Sequence, residues 1–336
     1  MTYKVAINGF GRIGRSAFKI AHSNPEIEVV AINDITSTDT LAYLLKHDSN
    51  YGTYHEEVSF DESNLIIGGK KIRVTAEKDP ALLPWKDLEV DVVIESTGRF
   101  TNVEDASKHL TAGAKRVVIS GPAKGEGVGT FVIGVNEGDL GADDTVVSNA
   151  SCTTNCITPV AVVIEEKFGV EKAMMTTIHS YTASQALQDA PNKDKREGRN
   201  AAENMVPTST GAATAAAKAF PKLKGKFDGL SVRVPTPVVS LSDFTFVTGR
   251  DVTKEEVNAA LVAATKEERF QGIIDTTDEP LVSSDFIGNS HSGIVDLALT
   301  NVVGGNLLKV VVWYDNEWGY SNRLIENVVN VAKTIA

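Results

Sequence analysis

Glycines 9, 11 and 14 in VAINGFGRIGRSAF follow directly on an apolar run, Tyr3 to Ile7, and open an amphipathic stretch. At this G-x-G-x-x-G spacing a tight strand-to-helix turn lets the backbone approach a pyrophosphate, and amides near Arg12 and Ile13 point at it from the helix N-terminus. Glycine turns alone are common. Asp34 supplies the second half of the signal: it ends the next apolar run, IEVVAIND, twenty residues after Gly14. A carboxylate there accepts hydrogen bonds from ribose hydroxyls and repels a 2′-phosphate. The pair predicts a dinucleotide site that prefers NAD to NADP.

The runs YKVAI, IEVVAIN, VDVVIES, RVVIS, TFVIGVN and TVVSN alternate with helical patterns over the first half of the chain. This predicts α/β architecture with a Rossmann-type, largely parallel sheet. VSFDESNLIIGGKKIRV, with paired glycines at 68 and 69, reads as an antiparallel hairpin inserted into it. The second half reads as an α+β domain with a mainly antiparallel sheet. Its helical patterns include CITPVAVVIEEKFG, crossed by Pro159, and STGAATAAAKAF. KEEVNAALVAATKEERF is opened by Thr253 and Glu256 as a capping box. A last helix is expected from about Tyr320 to Ile335. The predicted division is an NAD-binding domain over 1–151, a catalytic domain over 152–317, and a C-terminal helix over 318–336 that returns to the first domain.

A formal charge of −11 and a pI near 5.1 argue against nucleic acid or an anionic membrane as partner. The first residues have no charged n-region or cleavage site, and the longest apolar run, ITPVAVVI, is far short of a span. The expectation is a soluble, cytoplasmic protein in a reducing compartment.

The only two cysteines, Cys152 and Cys156, lie four residues apart in NASCTTNCIT. A disulfide at that spacing is disfavoured in such a compartment, and a Cys pair with no nearby His lacks the usual zinc set, so no metal is expected. Cys152 stands where TVVSN enters a helix, and N-terminal amides there should lower its pKa and favour the thiolate. Cys156, a turn further in, reads as core. His179, ending the run MMTTIHSYT, is the partner candidate. A thiolate beside NAD can add to an aldehyde, let the hemithioacetal lose hydride, and leave a thioester. Ser151, Thr153 and the run around Thr210 and Gly211 offer hydroxyls and amides to hold an oxyanion or phosphate.

INGFGRIGR, SCTTNC, PTSTGAA, VRVPTP and WYDNEWGYS together resemble phosphorylating glyceraldehyde-3-phosphate dehydrogenases, from Tyr3 to the final helix. The resemblance implies Cys152 as nucleophile and His179 as its activator and acid/base. It implies that Ser151, Thr153, Thr210 and Gly211 contact inorganic phosphate, and that Thr182 and Arg233 hold the phosphate of glyceraldehyde 3-phosphate. Gly9, Gly11, Arg12, Ile13, Gly14, Asp34, Lys78, Ser120 and Asn316 are the implied cofactor contacts. A homotetramer is also implied, with the loop from about Ser180 to Glu203 packed between subunits. That loop departs from the commoner pattern at Ala190 and Glu197, so Arg196 and Arg199 are not assigned. Rival readings are an erythrose-4-phosphate dehydrogenase and a catalytically silent NAD-binding interaction protein.

Overall fold

The computed structural model describes residues 2–335. They fall into two units, one made of 2–131, Glu137–Ala150 and 321–335, the other of Val132–Asn136 and Ser151–Tyr320. No helix among the described residues is long and apolar enough to cross a membrane.

In the first unit the strands run across a nine-stranded sheet in the order Gly129–Thr130, Val146–Ser148, Arg116–Ile119, Val92–Glu95, Tyr3–Asn8, Ile27–Asn33, Lys70–Thr75, Asn64–Ile67, Val58–Phe60. Pairing is parallel as far as Lys70–Thr75 and antiparallel in the last two pairs. The hairpin expected around Gly68 and Gly69 is therefore the antiparallel edge of a parallel sheet. The carboxyl halves of the central strands are buried because helices cover the sheet, which is why they read as apolar runs. The helix Arg12–His22 turns Gly14, Ala17, Phe18 and Ala21 inward, a three-and-four spacing that makes one apolar face. Ile7, Ile32 and Ile94 share a core with Phe18, Leu45 and, near the chain end, Leu324, Ile325 and Val328. Each such side chain contributes about 1.5–3 kcal/mol by leaving water.

The second unit carries an eight-stranded sheet in the order Val206–Ser209, Phe227–Val234, Val170–Ser180, Ser240–Thr248, Leu307–Tyr314, Gly293–Asp296, Ile274–Thr277, with Asn301–Val303 beside Leu307–Tyr314. Two pairs are parallel and the rest antiparallel. The helices Cys152–Phe168, Ala212–Ala219 and Lys254–Ala264 contribute to a core that includes Phe244, Phe246 and Val310 from the sheet. Met174, Leu230 and Leu307 are exposed.

Four details differ from, or decide between, the sequence expectations. TFVIGVN is not a full strand: pairing stops at Thr130, and Val132–Asn136 turns back through Gly134 at φ 82°. Pro159 lies inside one continuous helix, with the Thr158 hydroxyl donating to the Thr154 carbonyl one turn back. Thr253 accepts from the Glu256 amide, but the Glu256 carboxylate pairs with Arg250, so the reciprocal half of the capping box is diverted. The last helix starts at Trp318, two residues early, because Asp315 accepts from the Glu317 and Trp318 amides.

Candidate active site

The first unit holds a pocket of about 310 Å³ at the carboxyl ends of the parallel strands, lined by residues including Gly9, Gly11, Asn33, Asp34, Lys78 and Thr97. Gly9 adopts φ 91°, and a side chain there would meet the Thr97 backbone nitrogen at 2.7 Å. A side chain at Gly14 would lie 2.2 Å from the Gly9 carbonyl oxygen. These two contacts demand glycine, whereas Gly11 has open space where a side chain would stand. Asp34 accepts from the Phe10 amide at 2.8 Å and the Thr36 amide at 3.0 Å, which fixes its carboxylate at the pocket. An open glycine turn with an oriented carboxylate at the next strand end fits NAD.

The other residues assigned to the cofactor are not among those lining this pocket. Arg12 makes a two-point ion pair with Asp48, Ile13 packs against the apolar core, and Ser120 follows the strand Arg116–Ile119 with its amide donating to the Glu95 carbonyl. Asn316 belongs to the second unit, where its side-chain oxygen Oδ1 accepts from the hydroxyls of Ser180 and Ser240.

The second unit brings Cys152 and His179 together: Sγ stands 3.5 Å from Nε2. Cys152 is the first residue of its helix because Ser151 caps it, the serine hydroxyl accepting from the Thr154 amide. His179 nearly ends the long strand Val170–Ser180, whose alternation turns it to the buried side. Its Nδ1 is 2.7 Å from the Ser180 carbonyl oxygen. Nδ1–H donating there would turn the Nε2 lone pair to the thiol, whereas Arg233 Nη1, which can only donate, lies 2.5 Å from the same Nδ1 and calls for the opposite tautomer. Arg233 is the register partner of His179 on the neighbouring strand, and its guanidinium lies against the imidazole. Arg233 Nε is buried without a partner.

The charges here settle in a way the sequence did not indicate. Burial pushes the Cys152 thiol up, outweighing Arg233, the Thr153 hydroxyl and the helix-start amides, which pull it down. Burial first, and the Arg233 cation second, bring His179 down to about 3, against the Ser180 carbonyl, which raises it. The expected thiolate is thus replaced by a neutral thiol beside a neutral imidazole. Helix-end amides act over one turn and cannot offset loss of solvent around sulfur. Cys156 is a free thiol pushed up by burial in the core.

Thr153 is buried, its hydroxyl 3.0 Å from the Tyr314 hydroxyl, which in turn is 2.8 Å from Thr177 Oγ1. Thr182 is half-buried and bonded within the following loop, to Gln185 and Ser184. Thr210 opens the helix Ala212–Ala219 by accepting from the Ala212 amide, with Gly211 exposed at its cap. Val239, β-branched and at φ 70°, and Ala150, at φ 56°, carry backbone strain immediately before Ser240 and before the Ser151–Cys152 pair.

Residues 3–103 match the family model described as glyceraldehyde 3-phosphate dehydrogenase, NAD binding domain, and residues 151–316 match the one described as its C-terminal domain. The glyceraldehyde-3-phosphate dehydrogenase of Zymomonas mobilis is 54% identical over 100% of both chains. Those of Bacillus cereus, named glyceraldehyde-3-phosphate dehydrogenase 1, and Thermotoga maritima are each 55% identical, over 96% of both chains and over 97% and 98% respectively. The chain belongs to the glyceraldehyde 3-phosphate dehydrogenase family. Its two matched segments contain, respectively, the glycine pocket and the thiol–imidazole pair.

Sequence reasoning missed Tyr314, Thr177 and Ser240. Tyr314 lies within the quoted motif WYDNEWGYS, but nothing local to it shows that its hydroxyl reaches Thr153. That contact spans 161 positions and depends on sheet register.

Proposed function

We propose that this family member oxidises D-glyceraldehyde 3-phosphate with NAD and inorganic phosphate to 1,3-bisphosphoglycerate, as an NAD-dependent oxidoreductase of glycolysis. The observation that carries the reading is Cys152 Sγ at 3.5 Å from His179 Nε2 in a chain that matches glyceraldehyde-3-phosphate dehydrogenases along its whole length. Neither an erythrose-4-phosphate enzyme nor a silent NAD-binding protein is favoured by those matches.

His179 Nε2 takes the thiol proton as sulfur bonds to the aldehyde carbon, and returns it to the carbonyl oxygen, giving the hemithioacetal. NAD, when bound, supplies the hydride acceptor that oxidises this carbon. His179 withdraws the hydroxyl proton as the thioester forms. A phosphate oxygen then adds to the thioester carbon, the carbon–sulfur bond breaks, and the proton goes back to sulfur. His179 acts as a base in these transfers, and the Arg233 cation, after burial the second cause of its low basicity, has to be offset. The substrate's phosphate, held by Arg233 and Thr182, does this in the same act as binding.

Ser151, Thr153, Thr210 and Gly211 hold the attacking phosphate in this proposal. Gly9, Gly11, Arg12, Ile13, Gly14, Asp34, Lys78, Ser120 and Asn316 serve the cofactor. The domains of this proposal run 1–151 and 152–317, with 318–336 completing the first; the core contacts of Leu324, Ile325 and Val328 support the last, while Val132–Asn136 group with the second unit. The protein works as a cytoplasmic homotetramer. In support of the assembly, Met174 is 66% exposed and Leu230 45% exposed on the second unit's sheet, and the loop before Val206 shows Leu187 and Met205 to solvent. NADH formation from glyceraldehyde 3-phosphate, with and without inorganic phosphate, tests the reaction; turnover that ignores phosphate would refute it.

A further inference from the structure

Asn8, Asn33 and Glu95 each end a central strand of the parallel sheet, and register sets them side by side, Asn33 beside Asn8 and Asn8 beside Glu95. Thr75, the partner of Asn33 on the next strand, extends the row. The side chains bond along it. Thr75 Oγ1 donates to Asn33 Oδ1 at 2.8 Å, Asn33 Nδ2 donates to Asn8 Oδ1 at 2.7 Å, and Asn8 Nδ2 donates to Glu95 Oε2.

The row ends in two fully buried titratable groups, Glu95 and His109, that the proposed chemistry does not use. Trp85 Nε1–H can only donate, and it donates to His109 Nδ1 at 2.9 Å. His109 therefore carries its proton on Nε2 and gives it to Glu95 Oε2 at 3.0 Å. The other Glu95 oxygen, Oε1, accepts from both the amide and the hydroxyl of Thr97. Four donors converge on one carboxylate, which is the complement of an acceptor-only group.

What this carboxylate holds is the wall of the cofactor pocket. Thr97 lines it, and the Thr97 hydroxyl accepts from the Arg99 amide, fixing the turn that carries Arg99 and Phe100 to the same pocket. The Thr97 nitrogen is also the atom against which Gly9 packs. On the far side, Asn33 Oδ1 accepts from the Glu77 amide at 2.9 Å, and Asn33 Nδ2 donates to the Glu77 carbonyl, holding the turn before Lys78.

We propose that Glu95, oriented by His109 and Trp85, is the positioning residue for NAD: it sets the spacing between the Thr97 turn and the glycine turn, and through Asn8 and Asn33 that of the Glu77–Lys78 turn. It touches no reacting atom, so its removal acts on cofactor affinity. This rests on the NAD reading of the pocket.

The test is calorimetric titration of NAD into the wild type, Glu95→Gln, His109→Leu and His109→Gln, with the alkylation rate of Cys152 measured without NAD as a report on the second unit. Glu95→Gln should weaken NAD binding about tenfold or more, the effect of one misplaced buried donor, with alkylation unchanged. His109→Leu should do the same to a lesser degree, and His109→Gln, which keeps a donor for Glu95, should recover most of the affinity. Wild-type affinity in folded Glu95→Gln overturns the proposal, as does an alkylation rate that falls in step with affinity. If Glu95→Gln does not fold, Thr97→Val carries the test, with an expected weakening of about threefold for one lost hydroxyl; unchanged affinity there overturns it too. A wild type that binds no NAD would instead sink the reading of the pocket.

Discussion

The parallel sheet carries the row Thr75, Asn33, Asn8 and Glu95; the mainly antiparallel one carries Arg233 beside His179, and Ser240 beside Tyr314. The first row bonds to itself along its length and closes on His109 and Thr97. The second is left short. Arg233 Nε is buried without a partner, His179 is held near 3, and the thiol beside it is pushed up. A row whose bonds close fixes shape and stays chemically silent. A row short of partners leaves a buried donor open to an acceptor, and its protonation rests on a neighbouring charge.

The sharpest break of this contrast is at sulfur. Cys152→Ser should remove turnover while leaving NAD titration near wild type, since a serine hydroxyl ionises far less readily than a thiol. Cys156→Ser, in the core, should keep most activity; equal loss in both would mean that the two sulfurs share one role. Next comes His179→Asn, expected to lower kcat by about 10²–10⁴-fold. The same variant has a second readout. His179 sits at about 3 in the fold against its ordinary 6.5, so the unfolded chain protonates first. The neutral ring's contribution to stability is therefore complete above about pH 6.5 and is lost as pH falls from there toward 3. Between pH 7 and 5 the wild type should lose about 2 kcal/mol more than His179→Asn in denaturant titrations. An equal loss would place the imidazole in contact with water.

Arg233→Ala should reduce kcat/KM for glyceraldehyde 3-phosphate about 10–100-fold more than for unphosphorylated glyceraldehyde, as expected for a charge-assisted bond to phosphate. It should also move the Cys152 alkylation profile to higher pH, because the cation it removes holds the thiol down. Equal loss on both aldehydes would make Arg233 a structural group. The smallest effect belongs to the closed side. Asp34→Ser should shift the NADP-to-NAD ratio of kcat/KM about tenfold or more toward NADP, at some cost to NAD. An unchanged ratio would show that Asp34 does not face the ribose.

The parallel sheet and its glycine turn were legible because their determinants are local: an apolar run, a spacing and a strand-end carboxylate within 34 residues of the start. TFVIGVN misled because Val132 and Val135 are apolar for a turn rather than a strand, and Gly134 is the only local mark of it. The pairing of Cys152 with His179 was legible as a candidate, but their protonation was not. Burial of His179 and the approach of Arg233 depend on strands that register brings together from 54 positions apart. The Thr153–Tyr314–Thr177 hydroxyl chain was hidden for the same reason.

The row at the strand ends also bears on how the sheet assembles. Tyr3–Asn8, Ile27–Asn33 and Val92–Glu95 finish as Ile7-Asn8, Ile32-Asn33 and Ile94-Glu95, apolar and then polar in each case. A sheet covered on both faces has no in-and-out alternation to choose among pairings, so nearly any sliding of one apolar strand along another would bury similar surface. Sliding by one residue here sets an isoleucine against an amide or a carboxylate, stranding groups that each cost about 1–3 kcal/mol when buried unpaired. The three polar termini thus set the register: of the alignments open to these apolar runs, only the one that brings Asn33, Asn8 and Glu95 level closes their bonds.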